Sequence, residues 1–194
     1  MGLFSHTPRL VILDADAMDL LHFKTKYQQL GYGATTVLIT DAAQQAAFCG
    51  DDPLGKINPK RVAQHDAMYP QVPGVSQLDY MVTSVEALAT LLSHLAPEML
   101  LTDYHMTGCE SRFPDGGVGI VRAARALAAC REIPVVLHAS EFDLKGKDPE
   151  YVEIAPLNFW ITRKHDTDAY RCFERERLER SRAKAREKYE PAGQ

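Results

Sequence analysis

Two buried, strand-like runs in this chain end in carboxylates. Leu10–Leu13 (LVIL) runs into Asp14-Ala15-Asp16, and Met99–Thr102 (MLLT) runs into Asp103-Tyr104-His105. An ionised carboxylate at the carboxyl end of a parallel strand lies where α/β sheets bind their ligands. There it can coordinate a cation or attack phosphorus as a nucleophile. If the two strands are neighbours, Asp14 or Asp16 approaches Asp103, and like charges brought together are costly unless a cation lies between them. Oxygen-only ligands of this kind suit Mg²⁺. Two further strand ends carry polar groups. Ser140 follows PVVLHA, where a hydroxyl could hydrogen-bond a phosphoryl oxygen, and Arg163-Lys164 follows NFWIT, where a cation could pair with a phosphorylated carboxylate. Each residue also has a plainer reading: Asp16 as a helix cap, Asp14 and Asp103 as loop acids, Ser140 at an ordinary junction, Arg163-Lys164 solvated.

The elements that must hold these residues are short. LVIL, MLLT, Pro134–Leu137 (PVVL) and Asn158–Thr162 (NFWIT) are apolar without alternation, the pattern of parallel strands covered on both faces. Helical stripes fall between them: Leu20, Phe23, Tyr27 and Leu30; Val85, Leu88, Leu92 and Leu95, with Ser84 placed as N-cap; and Val118, Val121, Ala124 and Leu127. Alternation of this kind predicts an α/β layered domain with right-handed crossovers. Two stretches stand outside it. Residues 34–77 contain a strand-like TTVLIT, a helix-like DAAQQAAF and a Pro- and Gly-punctuated remainder. The tail from Asp166 has fifteen charged residues of both signs and predicts one long solvated helix.

At 194 residues the chain is one domain with an embellishment. Lys and Arg number 22 against 26 Asp and Glu, a net charge of −4, which offers no footprint for non-specific nucleic-acid binding. No apolar run approaches the roughly 20 residues of a membrane span. MGLFSHTPRL has neither a secretory pattern nor the myristoylation residue, so a cytoplasmic location is expected. Cys49, Cys109, Cys130 and Cys172 are scattered without Cys-x-x-Cys spacing and are expected to be thiols.

The order acid, acid, hydroxyl, cation at the ends of the first, third, fourth and fifth strands resembles the receiver domain of two-component response regulators, of the chemotaxis-regulator type. VTSVEALATLLSHLAPEMLLTDYHMTG is similar to the second-strand to phosphoacceptor region of that family, and DGGVGIVRAARAL to its third helix. The resemblance covers about residues 8–33 and 78–175. It implies a flavodoxin-like (βα)5 three-layer sandwich with parallel strand order 2-1-3-4-5. It places the phosphoacceptor at Asp103, the first acid of the metal pair at Asp14, a metal-ligating backbone carbonyl at His105 and an aromatic switch at Trp160. Mg²⁺, a histidine kinase or phosphotransfer protein as donor, and a downstream protein target follow from the same resemblance. The second strand is expected at Leu78–Val82, which makes residues 34–77 an insertion after the first helix. Residues 1–175 then form the receiver-like domain, and 176–194 a charged helical extension able to support a weak homodimer.

The chain departs from the family at several positions. The second acid of the pair, the usual direct metal ligand, is Ala15; the Thr or Ser position is Ala139; and the Lys-Pro position is Arg163-Lys164. Asp16, Ser140 and Lys164 each lie one residue away from the lost group. About five extra residues, around Cys109–Phe113, separate Asp103 from Asp115-Gly116. Three functional readings follow. One is a stand-alone phosphorylated receiver, which is no enzyme. The second is a degenerate receiver that docks or dimerises without phosphorylation. The third rests on LVILDADAM, which also resembles the nucleophile motif of haloacid-dehalogenase-type phosphatases, with Asp14 as nucleophile and Asp16 as general acid.

Overall fold

The structure, a computed structural model, describes residues 7–65, 74–106, 108–109, 112–139, 150–152, 159–163 and 168–189. The strands are β1 (Arg9–Asp14), β2 (Gly33–Ile39), β3 (Tyr80–Val82), β4 (Met99–Asp103), β5 (Val135–Ala139), β6 (Glu150–Val152) and β7 (Phe159–Arg163). The helices are α1 (Ala17–Gln29), α2 (Ala42–Cys49), α3 (Pro59–His65), α4 (Val85–Leu95), α5 (Gly116–Ala126) and α6 (Asp168–Tyr189). The strands make one sheet in the order β3-β2-β1-β4-β5-β7-β6. Six run parallel, and β6 pairs antiparallel with β7 at one edge.

Side-chain alternation divides the core into two layers. Leu10, Ile12, Leu101 and Val136 face Leu20, Phe23 and Tyr27 of α1 and Cys172 and Phe173 of α6. Val11, Leu13, Leu100 and Leu137 face Leu88, Leu91 and Leu92 of α4 and Ile120, Val121 and Ala124 of α5. The fold is therefore a three-layer α/β sandwich of the flavodoxin-like class. Its central strands β2-β1-β4-β5-β7 follow the 2-1-3-4-5 pattern.

One detail of the expected topology is corrected. The strand beside β1 is Gly33–Ile39, with Leu10 opposite Ala34 and Leu13 opposite Val37, rather than the one at Leu78–Val82. Tyr80–Val82 pairs one place further out, against Val37–Ile39. Residues expected as an insertion thus supply an interior strand. Burial gives the reason. GATTVLI is seven residues long and buried without a break from Thr36 to Ile39, so it fills a place covered on both faces. YMV is three residues long and suits an edge. That edge is itself covered: Lys56 bridges to Tyr80, and the Met81 N–H donates to the Gly55 carbonyl at 2.8 Å. A Cβ at Gly55 would lie 1.9 Å from the Met81 carbonyl oxygen, so only glycine allows the approach.

Ser84 caps α4 through the Ala87 N–H, as its place in the sequence predicts, and Asp16 takes its plainer reading as the cap of α1; Asp41, not singled out in the sequence, caps α2 through the Gln44 N–H. All four cysteines are buried as thiols. Among the described residues no helix is long and apolar enough to cross a membrane.

Candidate functional site at the β1 and β4 strand ends

Strands β1 and β4 are neighbours, with Leu13 opposite Thr102, so the next register step sets Asp14 beside Asp103. Both acids share the parity of Ile12 and Leu101 and so lie on the α1 side of the sheet. The chain leaves β1 toward β2 on one side, while β4 continues to β5 on the other. The two carboxylates therefore stand at the switch point of the sheet, where ligands of such folds bind. Asp14 is buried, with 3% of its surface exposed, and its Oδ1 accepts the Asp16 N–H at 2.9 Å. Asp103 is half-buried at the end of β4, and the following Tyr104 N–H donates to the His138 carbonyl at 2.7 Å.

The other positions are not all brought to this point. Ala15 packs against the apolar layer on the α4 and α5 side. Asp16 turns to α1, where its Oδ1 accepts from the Met18 N–H at 2.7 Å and the Asp19 N–H at 3.2 Å. His105 is exposed in the loop after β4, its ring edge-on to Tyr104 at 4.8 Å between centroids. Ala139 is buried in β5, opposite Arg163 at the end of β7. Ser140 and Lys164 lie outside the described residues. Among the described residues no three His, Cys, Asp or Glu side chains gather as a metal-binding group. The donors in place are the carboxylates of Asp14 and Asp103, hard oxygens of the type Mg²⁺ takes, one acid fewer than the trio of the resemblance.

The loop beyond Asp103 is anchored. Met106, Cys109 and Phe113 are buried in the α4/α5 layer, and the Phe113 N–H donates to the Cys109 carbonyl at 2.8 Å. The loop then meets α5 at Gly117, whose N–H donates to the Tyr104 carbonyl at 3.0 Å. A Cβ there would lie 2.2 Å from the Asp103 carbonyl oxygen. A cleft of about 350 Å³ opens between this loop and α5, lined by Tyr104, His105, Phe113, Pro114 and Asp115 among others. Asp115, one of its lining residues, is ion-paired with Arg122.

No family model matches the chain, and no curated protein does. Among solved structures, a sensor protein from Polaromonas sp. JS666 is similar at 12% identity and a TM-score of 0.45, over 87% of this chain and 98% of that one. The anti-anti-sigma factor PhyR from Bartonella quintana is similar at 10% identity and a TM-score of 0.48, over 94% of this chain. The chain spans about half of PhyR, 51% of its length. At these values neither likeness identifies a function, and the fold class rests on the strand order itself.

Trp160 lies away from the acids. Strand β7 begins at Phe159, and Trp160 packs under α6, where its Nε1–H donates to Glu176 Oε1 at 3.1 Å and the Arg175 guanidinium lies 5.2 Å from its ring centre. One residue near the acids escaped the sequence reading. His138 is the Cα partner of Asp103, 1% exposed, with the Phe23 ring edge-on at 4.6 Å. The signal was present: an ionisable residue inside the apolar run PVVLHA, in step with the inward-facing Val136.

Proposed function

We propose that the chain is a receiver-type signalling module in which Asp103 accepts a phosphoryl group from a histidine kinase or phosphotransfer protein. The observation that carries this reading is the register that sets Asp14 and Asp103 side by side on one face, at the switch point of a flavodoxin-like sheet. An Asp103 carboxylate oxygen would attack the donor phosphorus; the phosphorus–nitrogen bond of the donor breaks as the acyl-phosphate bond forms. A bound Mg²⁺ would supply charge neutralisation. Asp14 and Asp103 would hold it, with the His105 backbone carbonyl, and the loss of an acid at Ala15 makes that binding weak. Asp14 is fixed by the Asp16 N–H and so presents its carboxylate without reorganisation. The output would be protein–protein contact, with α6 as part of the partner surface and as a seam for weak self-association.

Incubation with Mg²⁺ and phosphoramidate, followed by intact mass measurement, tests the reading. One added phosphoryl group that is lost in Asp103→Asn is the expected result. A chain that gains none, or gains it equally in the variant, sinks it. A second reading, a docking module that works without phosphate, is favoured by particular residues: Ala15 packs on the core, Asp16 caps α1, and Ala139 stands where a hydroxyl would be. Under that reading the captured partner would bind wild-type and Asp103→Asn chains equally.

A further inference from the structure

The α1-facing side of the sheet carries a polar row that starts at Asp103 and continues through two residues the acceptor reading does not use. Asp103 of β4 is the Cα partner of His138 of β5, and His138 is the Cα partner of Thr162 of β7. All three lie on the face shared with Leu101, Val136 and Trp160, at one level across three adjacent strands. His138 is 1% exposed and Thr162 fully buried. The Thr162 hydroxyl makes no hydrogen bond among the described residues. A polar group buried in an apolar layer is costly, and buried polar groups are nearly always hydrogen-bonded.

We propose that His138 is a positioning residue for Asp103, and that Thr162 orients its imidazole. This rests on the reading of Asp103 as the acceptor. Neighbouring strands lie about 4.8 Å apart, so Cα partners on one face meet by side-chain rotation alone. A neutral imidazole has one N–H donor and one acceptor nitrogen. The donor would turn to the Asp103 carboxylate and the acceptor to the Thr162 hydroxyl, which has no competing partner among the described residues. Phe23 closes the row from α1 and limits the ring's motion. The sheet would thus do for Asp103 what Ala139, with no hydroxyl, does not do from the end of β5. The acceptor carboxylate would be aligned from the neighbouring strand.

Imidazole nitrogen resonances of ¹⁵N-labelled protein read the row without any phosphorylation. Thr162→Val removes the hydroxyl at constant shape, and Asp103→Asn removes the charge. Both are expected to shift the His138 signals and leave those of exposed His94 in place. His138 signals unmoved by both changes overturn the proposal. In the phosphoramidate reaction, His138→Phe is expected to lower the acyl-phosphate formation rate about tenfold, with partial rescue in His138→Gln; a tenfold effect corresponds to one hydrogen bond to a charged group. A His138→Phe chain that folds and reacts at the wild-type rate also overturns it. Failure of the wild-type chain to accept phosphate, with the resonance shifts present, removes the acceptor reading and leaves the row standing.

Discussion

At Gly117 the fold and the site meet in a single missing methyl group. The N-terminus of α5 passes so close to β4 that a Cβ would lie 2.2 Å from the Asp103 carbonyl, and a backbone atom cannot move aside as a side-chain tip can. We expect Gly117→Ala to cost about 2 kcal/mol, the scale of overpacking a tight core, read as a lower urea midpoint at unchanged slope. A midpoint equal to wild type would show that α5 shifts freely. Cys49 ties the chain to pH. Burial pushes its thiol up to about 12, with the charge of Asp52 adding to the effect, and its Sγ lies 3.1 Å from the Gly55 carbonyl oxygen. Burial raises Tyr27 and Cys130 in the same direction. The unfolded thiol titrates near 8.5, so between there and about 12 the folded state holds protons that the unfolded state has lost. This contribution is complete below pH 8.5 and declines as pH rises. Urea unfolding from pH 7 to 11 should show falling stability, with a shallower fall in Cys49→Ala. An equal slope in both would assign the loss to other groups.

Among the elements, β2 and β3 are joined by a side chain where the shorter strand runs out. The ladder between them begins at Val37 opposite Tyr80. One residue earlier, the Thr36 N–H and Oγ1–H donate to Asp79 Oδ2 at 2.9 and 2.8 Å, in place of a strand partner. Lys24 of α1 reaches the same carboxylate at 2.8 Å and the Gln77 carbonyl at 2.7 Å. One acid therefore holds α1, β2 and the edge strand together. Thr36 is fully buried, so Asp79→Ala strands its N–H away from water. We expect a loss of about 2 kcal/mol, and a smaller one in Asp79→Asn. A change under about 0.5 kcal/mol in chemical unfolding would mean that water replaces the carboxylate.

For the whole molecule, α6 decides what is body and what is extension. Its first half is bound on several sides: Ala169, Cys172 and Phe173 are buried, Tyr32 donates to Glu174 Oε1 at 2.7 Å, and Trp160 donates to Glu176. Arg180 reaches the Glu132 carbonyl. Beyond it the sequence is SRAKAREKY, rich in charge, and isolated helical turns of that kind are marginal in water. Deleting residues 181–194 should leave the thermal midpoint within about 2 °C, because before Pro191 that stretch of sequence holds only Ala183, Ala185 and Tyr189 as apolar residues. Sedimentation should then move from a concentration-dependent average to the monomer. A truncated chain that unfolds would make the distal helix part of the core.

What the sequence determined by itself is local. Apolar runs without alternation marked the strands, three- and four-residue spacing marked the helices, and Ser84 marked the start of one, because these patterns depend on neighbours a few residues apart. The acids at the ends of two runs were legible for the same reason. Tertiary structure decided which strand stands beside β1. TTVLIT and LDYMVT satisfy the same local pattern, and only the longer run can be covered on both faces. It also turned Asp16 to its own helix and set His138 next to Asp103 and Thr162. Register between strands distant in sequence is a property of the assembled sheet, where burying one face of every strand at once leaves a single alignment.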